Sequence, residues 1–128
     1  MAKVLYNADY GGIELSAEAI HWLEENGSEE TKNKLNKLRK ECEGIINEHD
    51  YGYPWGLEEL MSLRYLDGVE RHDKDLIAVV ENLGEEANGR YANLRLYELR
   101  GNEYRIDEYD GLETVIEKCD EKYIHVED

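Results

Sequence analysis

The sequence contains no phenylalanine, a single proline and only two cysteines among its 128 residues. Cys42 and Cys119 lie far apart and outside any CxxC pattern, which argues against a disulfide framework and indicates a reducing, cytoplasmic setting. Without phenylalanine, the ten tyrosines supply most of the aromatic bulk. No apolar run approaches the roughly 18 residues that a membrane span needs, and no signal segment follows Met1, so we expect no membrane partner.

Basic residues are also scarce, because 15 Lys and Arg stand against 31 Asp and Glu, which gives a formal net charge of −16. Nucleic-acid binding needs cationic side chains that displace counterions from phosphates, so we expect no direct nucleic-acid partner. The charge is uneven, since residues 32–40 carry five bases whereas residues 103–128 carry a net −7. This uneven distribution of charge permits a local cationic site, or an attraction between the two segments.

Apolar spacing and capping residues predict one α+β domain over residues 1–128, with three to four helices. The expected helices begin after Ser or Asp caps and carry apolar stripes. They are residues 17–26, the segment from Ser28 to Ile46, and the segment from Asp73 to Gly84. Residues 57–66 fit either a short helix or a strand. The stripe at Leu35, Leu38 and Cys42 is compatible with the core or with helix pairing in a homo-oligomer.

Alternation of apolar and polar residues predicts the strands. Residues 3–8 form the first, and because two helices follow it, a parallel crossover unit is one option. Residues 91–99 and 103–109 flank Gly101-Asn102 and predict an antiparallel hairpin within a small mixed sheet. Residues 112–118 fit either a short helix or a strand, and residues 123–126 fit an edge strand.

A Gly11-Gly12 turn leads into a helix that starts after Ser16. Free N–H groups at a helix start, together with glycines that let the backbone approach closely, favour a phosphate or carboxylate. The alternative is an ordinary turn followed by a cap.

Arg71 precedes the clearest helix and could present its guanidinium to an anionic ligand. The alternative is an internal ion pair between Arg71 and the acids of residues 107–110, with Asp73 acting as the helix cap.

An acidic cluster surrounds Tyr109 and consists of Asp107, Glu108, Asp110 and Glu113. Paired carboxylates can perform acid–base chemistry or bind a divalent cation, although the spacing does not match an EF-hand loop. The alternative is a solvated strand end and turn.

Three aromatic residues, Tyr51, Tyr53 and Trp55, alternate with Gly and Pro and could stack on a planar base or ring. The alternative is a loop that packs on its own aromatic side chains. The four histidines show no i, i+4 pair and no cysteine nearby, so we expect no metal site, no cofactor and no catalytic set.

Three blocks, in this order, resemble a family of small acidic uncharacterised proteins from tailed phages. They are Asn7 to Ala19 (NADYGGIELSAEA), Arg71 to Gly84 (RHDKDLIAVVENLG, continuing through Ala87-Asn88-Gly89) and Ile106 to Glu113 (IDEYDGLE). The chain departs from the family at Ile13-Glu14, where relatives have Phe-Gly, and at Lys74, where they have Pro. It departs again at Gly101-Asn102, where they have Pro-Asp-Asp, and its segment 28–66 is longer. The resemblance implies a viral origin and an accessory role, without implying a reaction.

The leading hypothesis is a non-enzymatic phage anti-defence protein that sequesters a small anionic ligand, such as a nucleotide immune signal, in the host cytoplasm. Its expected ligand site comprises Asn7, Tyr10, Gly11, Gly12, Ser16, Arg71, Asp73, Tyr109 and Asp110, with the aromatic loop Tyr51, Tyr53 and Trp55. One alternative is an acidic DNA mimic that inhibits a basic host protein. Another is a small nucleotide-acting enzyme that uses His72 or the acids at Asp107 and Asp110.

Overall fold

Four α-helices and two pairs of antiparallel strands make up the fold, which confirms the α+β class. The computed structural model describes residues 2–48, 55–121 and 126. The helices are α1 (Ala17–Asn26), α2 (Glu29–Asn47), α3 (Leu57–Asp67) and α4 (Lys74–Leu83), the last followed by a short 3₁₀ turn, Gly84–Ala87. The strands are β1 (Lys3–Asn7), β2 (Leu94–Glu98), β3 (Tyr104–Tyr109) and β4 (Leu112–Glu117). Tyr51, Tyr53 and most of the expected edge strand lie outside the described residues.

Side-chain caps start three of the helices where the sequence predicts them. The Ser16 hydroxyl accepts the Ala19 N–H at 3.1 Å, and Ser28 caps α2 in the same way. The Asp73 carboxylate accepts the N–H groups of the next turn of α4 at 3.0 and 3.1 Å. These caps satisfy amides that have no partner within the helix.

The core forms where the apolar stripes of the helices meet β1 and β2. Leu35 and Cys42 of α2 are fully buried against α1 and α3, so the predicted stripe belongs to the core. Tyr65 provides the aromatic ring that phenylalanine would otherwise supply here, and burial raises its pKa to about 12. Within the described part of the chain, no helix is both long and apolar enough to cross a bilayer.

The first strand pair joins the two ends of the helical segment. β1 runs antiparallel to β2, from Lys3 opposite Glu98 to Asn7 opposite Leu94. The parallel crossover that was one option after β1 is therefore not found, and the predicted hairpin between residues 91–99 and 103–109 is wrong. A partner that lies about ninety residues away in sequence leaves no local signal.

The hairpin lies instead between β3 and β4, with Tyr109 opposite Leu112. Its turn residues, Asp110 and Gly111, have φ values of 50° and 91°. Two left-handed central residues suit the right-handed twist of the strands, which is why Asp-Gly is a strong hairpin turn. The expected C-terminal hairpin is thus confirmed, one turn later than the sequence predicts, and the two strand pairs replace the expected mixed sheet.

Ion pairs do not join the basic segment to the acidic C-terminal region. Arg39 of α2 bonds Glu24 of α1 at 2.6 and 2.8 Å. Across the described ranges, no ion pair connects residues 32–40 with residues 103–121. The attraction that the uneven charge permits therefore involves no ion pair in the described residues.

Candidate functional site

Asn7, at the end of β1, connects three of the loops that the sequence singles out. Its side chain is fully buried and donates to the carbonyl oxygens of Asp9 and Gly111 at 2.8 and 2.9 Å. Its amide oxygen accepts the Asn93 N–H at 2.8 Å. Both amide hydrogens and the amide oxygen of Asn7 bond to protein, so this side chain positions loops and offers little to a ligand.

Arg71 forms a two-pronged ion pair with Glu113 of β4, at 2.6 and 2.8 Å. Glu113 is buried, and its carboxylate also accepts the Asn7 N–H at 2.9 Å. The Arg71 carbonyl accepts the Leu5 N–H at 2.8 Å. The guanidinium is thus held by an internal carboxylate, as the ion-pair alternative predicts, although the partner is Glu113 and not one of residues 107–110.

The Gly11-Gly12 turn packs against protein atoms. A side chain at Gly11 would overlap the backbone and Cβ of Tyr91, and Gly12 adopts a left-handed φ of 87°. The Ser16 hydroxyl donates to the Glu86 carbonyl at 2.5 Å. A cavity of about 240 Å³ beside Ser16 is lined by one arginine, Arg90, and by three carboxylate-bearing residues, Glu14, Glu58 and Glu59. This geometry favours the turn-and-cap alternative over an anion cradle.

The remaining expected site residues have separate structural roles, although the β1–α1 loop meets the hairpin tip. Tyr10 and Tyr109 are 58% and 77% exposed, on the β1–α1 loop and the hairpin tip. Asp110 forms the hairpin turn, whereas Asp73 caps α4. The structure therefore distributes these residues among separate structural roles.

A groove on the exposed side of α3 brings together residues with ligand-binding chemistry. It consists of two adjoining cavities of about 410 and 590 Å³, which we call the first and second lobes. Both are lined by Ile13, Trp55 and Leu63. The first lobe adds Glu14, Glu59, Arg90 and Tyr91; the second adds Leu60, Arg64, Leu66, Asp67 and Arg71.

Solvent-exposed apolar and cationic groups face each other across this α3 groove. Trp55 and Leu63 are 46% and 53% exposed. The Arg90 guanidinium lies 5.2 Å from the centre of the Tyr91 ring. Among the described residues, no carboxylate lies within salt-bridge distance of Arg64 or Arg90. Within the described residues, each lobe therefore has one guanidinium that is not neutralised by an ion pair, since Arg71 is held by Glu113.

Sequence reasoning identified two of the groove residues, Trp55 and Arg71, and missed the others. The sequence of helix α3 did indicate a binding surface, because its apolar residues are spread around more of the helix than the side that packs against the core. Leu60 and Tyr65 are buried, whereas Leu63 faces the solvent. Arg90 carried no comparable signal, because only the tertiary structure brings its loop beside α3.

A second polar cluster, at the end of β4, is the one place in the described residues where three possible metal-ligating side chains of the His, Cys, Asp or Glu type lie together. The ligand atoms of Glu117, Cys119 and Asp120 lie within 4.8 Å of one another. Arg100 bonds both carboxylates, however, and Glu117 also accepts the Tyr97 hydroxyl at 2.7 Å. A cation would have to displace the Arg100 guanidinium. The cluster is better described as a set of polar contacts that connect β2 with β4.

The same contacts make Glu117 a source of acid-sensitive stability. Hydrogen bonds from the Gly101 N–H, the Tyr97 hydroxyl and Arg100 lower its pKa from 4.5 to about 2. A carboxyl group whose pKa is lower in the folded state stabilises the fold above its unfolded-state pKa. That contribution is lost as the pH falls from about 4.5 towards 2.

We therefore expect Glu117→Gln to be less stable than wild type at neutral pH, with a difference that shrinks as the pH approaches about 2. Urea midpoints of both proteins, measured across this range, give the difference directly. Glu25→Gln, at an exposed position of α1, serves as the control. A Glu117→Gln deficit of constant size down to the lowest pH would contradict the role assigned to the carboxylate.

The α3 groove thus remains the arrangement that is best suited to a ligand. It combines an apolar wall, three arginines and three carboxylate-bearing residues on one exposed surface. Comparison of the chain with protein-family profiles, curated proteins and solved structures finds no match.

Proposed function

We propose that the protein is a non-enzymatic binding protein that holds a small anionic ligand with a flat ring, such as a nucleotide, in the α3 groove. The observation that carries the proposal is the position of two guanidiniums, Arg64 and Arg90, beside the exposed Trp55 and Leu63. Guanidiniums can attract an anion within a chain of net charge −16, and in a groove that also holds three carboxylates, because their field is local.

Each part of a nucleotide has a complementary group in the groove. A base can stack on an aromatic face such as that of Trp55 or Tyr91. A phosphate suits a guanidinium fork, and the Glu59 carboxylate can accept from a hydroxyl or amino group. The lobe volumes of about 410 and 590 Å³ fall within the usual range for ligand pockets.

One feature of the groove favours binding over catalysis. Its described lining residues include no histidine, cysteine or serine, so they provide no Ser–His or Cys–His pair. In the phage setting that the resemblance implies, the protein would act in the cytoplasm of the infected bacterium. It would withdraw a nucleotide signal of host defence by binding it.

A second candidate function is the binding of a basic host protein. It is favoured by the hairpin tip, where Asp107, Glu108 and Asp110 are exposed together with Tyr109. Such binding would use the tip and not the groove, so Trp55→Ala would leave it unchanged.

The groove proposal predicts that ATP or AMP at about 1 mM raises the midpoint of thermal unfolding of the wild-type protein by several degrees. Trp55→Ala is expected to lower the affinity at least about 10-fold, because the ring loses its stacking partner. Tyr109→Ala removes a more exposed aromatic ring outside the groove and is the matched control. Isothermal titration calorimetry gives the affinities of all three proteins.

Two results would count against the proposal. One is the absence of any shift with either nucleotide. The other is a loss of affinity in Tyr109→Ala that equals the loss in Trp55→Ala, since this would place the ligand elsewhere.

A further inference from the structure

We infer that the ligand is a dinucleotide, whose two phosphates are separated by a nucleoside, and not a mononucleotide or a nucleoside triphosphate. This inference rests on the proposed function and adds the class of ligand. It follows from the division of the groove into two lobes with similar chemistry on either side of a shared apolar wall.

The repetition is set by the spacing of residues along α3. Glu59, Leu63 and Asp67 occur at four-residue intervals, so they lie along one side of the helix. Leu63 faces both lobes, Glu59 only the first, and Asp67 only the second. The two carboxylate positions are about 12 Å apart along the axis, given a rise of about 1.5 Å per residue.

Each lobe also has its own available cation. Arg90 lines the first lobe and Arg64 the second, and neither belongs to an ion pair within the described residues. Arg71 also lines the second lobe, but its guanidinium is held by Glu113 at 2.6 and 2.8 Å. Among the described residues, the groove therefore presents one arginine without an ion pair in each lobe, and Trp55 and Leu63 line both lobes.

Ligands of different architecture meet these two cations differently. A mononucleotide carries one phosphate and leaves one guanidinium without an anion. A nucleoside triphosphate carries more charge, but its phosphates are contiguous and occupy a single lobe. A dinucleotide places a phosphate at each guanidinium and a ring in each lobe, with a carboxylate available to the polar groups of either nucleoside.

The test compares the linear dinucleotide pApA with AMP and ATP by isothermal titration calorimetry on the full chain. We expect pApA to bind at least about 30-fold more tightly than AMP or ATP. Its second nucleotide occupies the second lobe without a further loss of translational freedom. Arg64→Gln and Arg90→Gln are each expected to weaken pApA binding at least about 10-fold. Arg95→Gln, an exposed arginine of β2 outside the groove, makes the same change in charge and should have little effect.

The outcomes separate this inference from the proposed function. If AMP and pApA bind with equal affinity and Trp55→Ala weakens both, the groove binds nucleotides and the dinucleotide inference is wrong. If ATP binds more tightly than pApA, total charge decides affinity and the inference is likewise wrong. If none of the three binds, both the inference and the proposed function fail.

Discussion

Glu113→Ala is expected to lower the free energy of unfolding by about 3–5 kcal/mol, because it leaves the Arg71 guanidinium without its partner in a largely buried position. Glu113 is 7% exposed and Arg71 20% exposed, and two hydrogen bonds of 2.6 and 2.8 Å join them. The substitution also removes the acceptor of the Asn7 N–H. Urea denaturation measures the loss as a lower midpoint with an unchanged slope.

An exposed ion pair provides the matched control. Lys3 and Glu81 lie 3.2 Å apart, with 38% and 47% of their side chains exposed, so Glu81→Ala should cost less than about 1 kcal/mol. Replacing both buried partners, as in Arg71→Met with Glu113→Leu, should recover part of the lost stability, because no unpaired charge remains. Equal costs for Glu113→Ala and Glu81→Ala would show that the buried pair does not support the fold.

The Arg71–Glu113 pair also explains why Arg71 is a poor probe of ligand binding. Arg71→Ala would remove a groove residue and at the same time leave Glu113 buried without its cation. Loss of binding in that variant would not distinguish a missing contact from a loosened fold. Arg64 and Arg90 are better probes, because no described carboxylate depends on them.

The helices could be predicted from the sequence because their signals are local. Ser16, Ser28 and Asp73 each lie next to the amides they cap, and apolar residues repeat within each helix. Strand pairing is not local in the same way. β1 pairs with β2 across the whole helical segment, and the Gly101-Asn102 turn that suggested a hairpin instead donates the Gly101 N–H to Glu117 at 2.8 Å.

The candidate site was only partly predictable for the same reason. Trp55 and Arg71 stand out by residue type, and both line the groove. The groove itself forms where α3 meets the loops that carry Ile13 and Arg90, which lie far apart in the sequence. The conspicuous Gly11-Gly12 turn has structural explanations, because Gly11 packs against Tyr91 and Gly12 adopts a left-handed φ of 87°.

The close contact between the β1–α1 loop and the hairpin tip leads to the second large effect, at Gly111. Gly111→Ala is expected to destabilise the fold by about 2–5 kcal/mol, because it combines backbone strain with steric overlap. Gly111 has a left-handed φ of 91°, and an added Cβ would overlap the Tyr10 carbonyl oxygen and lie 2.6 Å from the Gly12 nitrogen. Both neighbours are backbone atoms, so they cannot move aside as a flexible side chain would.

Gly12 separates the two causes, because it has nearly the same backbone conformation without the crowding. Its φ is 87°, and an added Cβ would meet no atom within 4 Å. Gly12→Ala should therefore cost only the strain of a left-handed alanine, about 1–2 kcal/mol. Urea denaturation of the two variants side by side gives the cost of crowding as the difference. If the two variants are equally stable, the hairpin tip must be able to move away from the β1–α1 loop, and the hydrogen bond from Asn7 to the Gly111 carbonyl would not hold the two together.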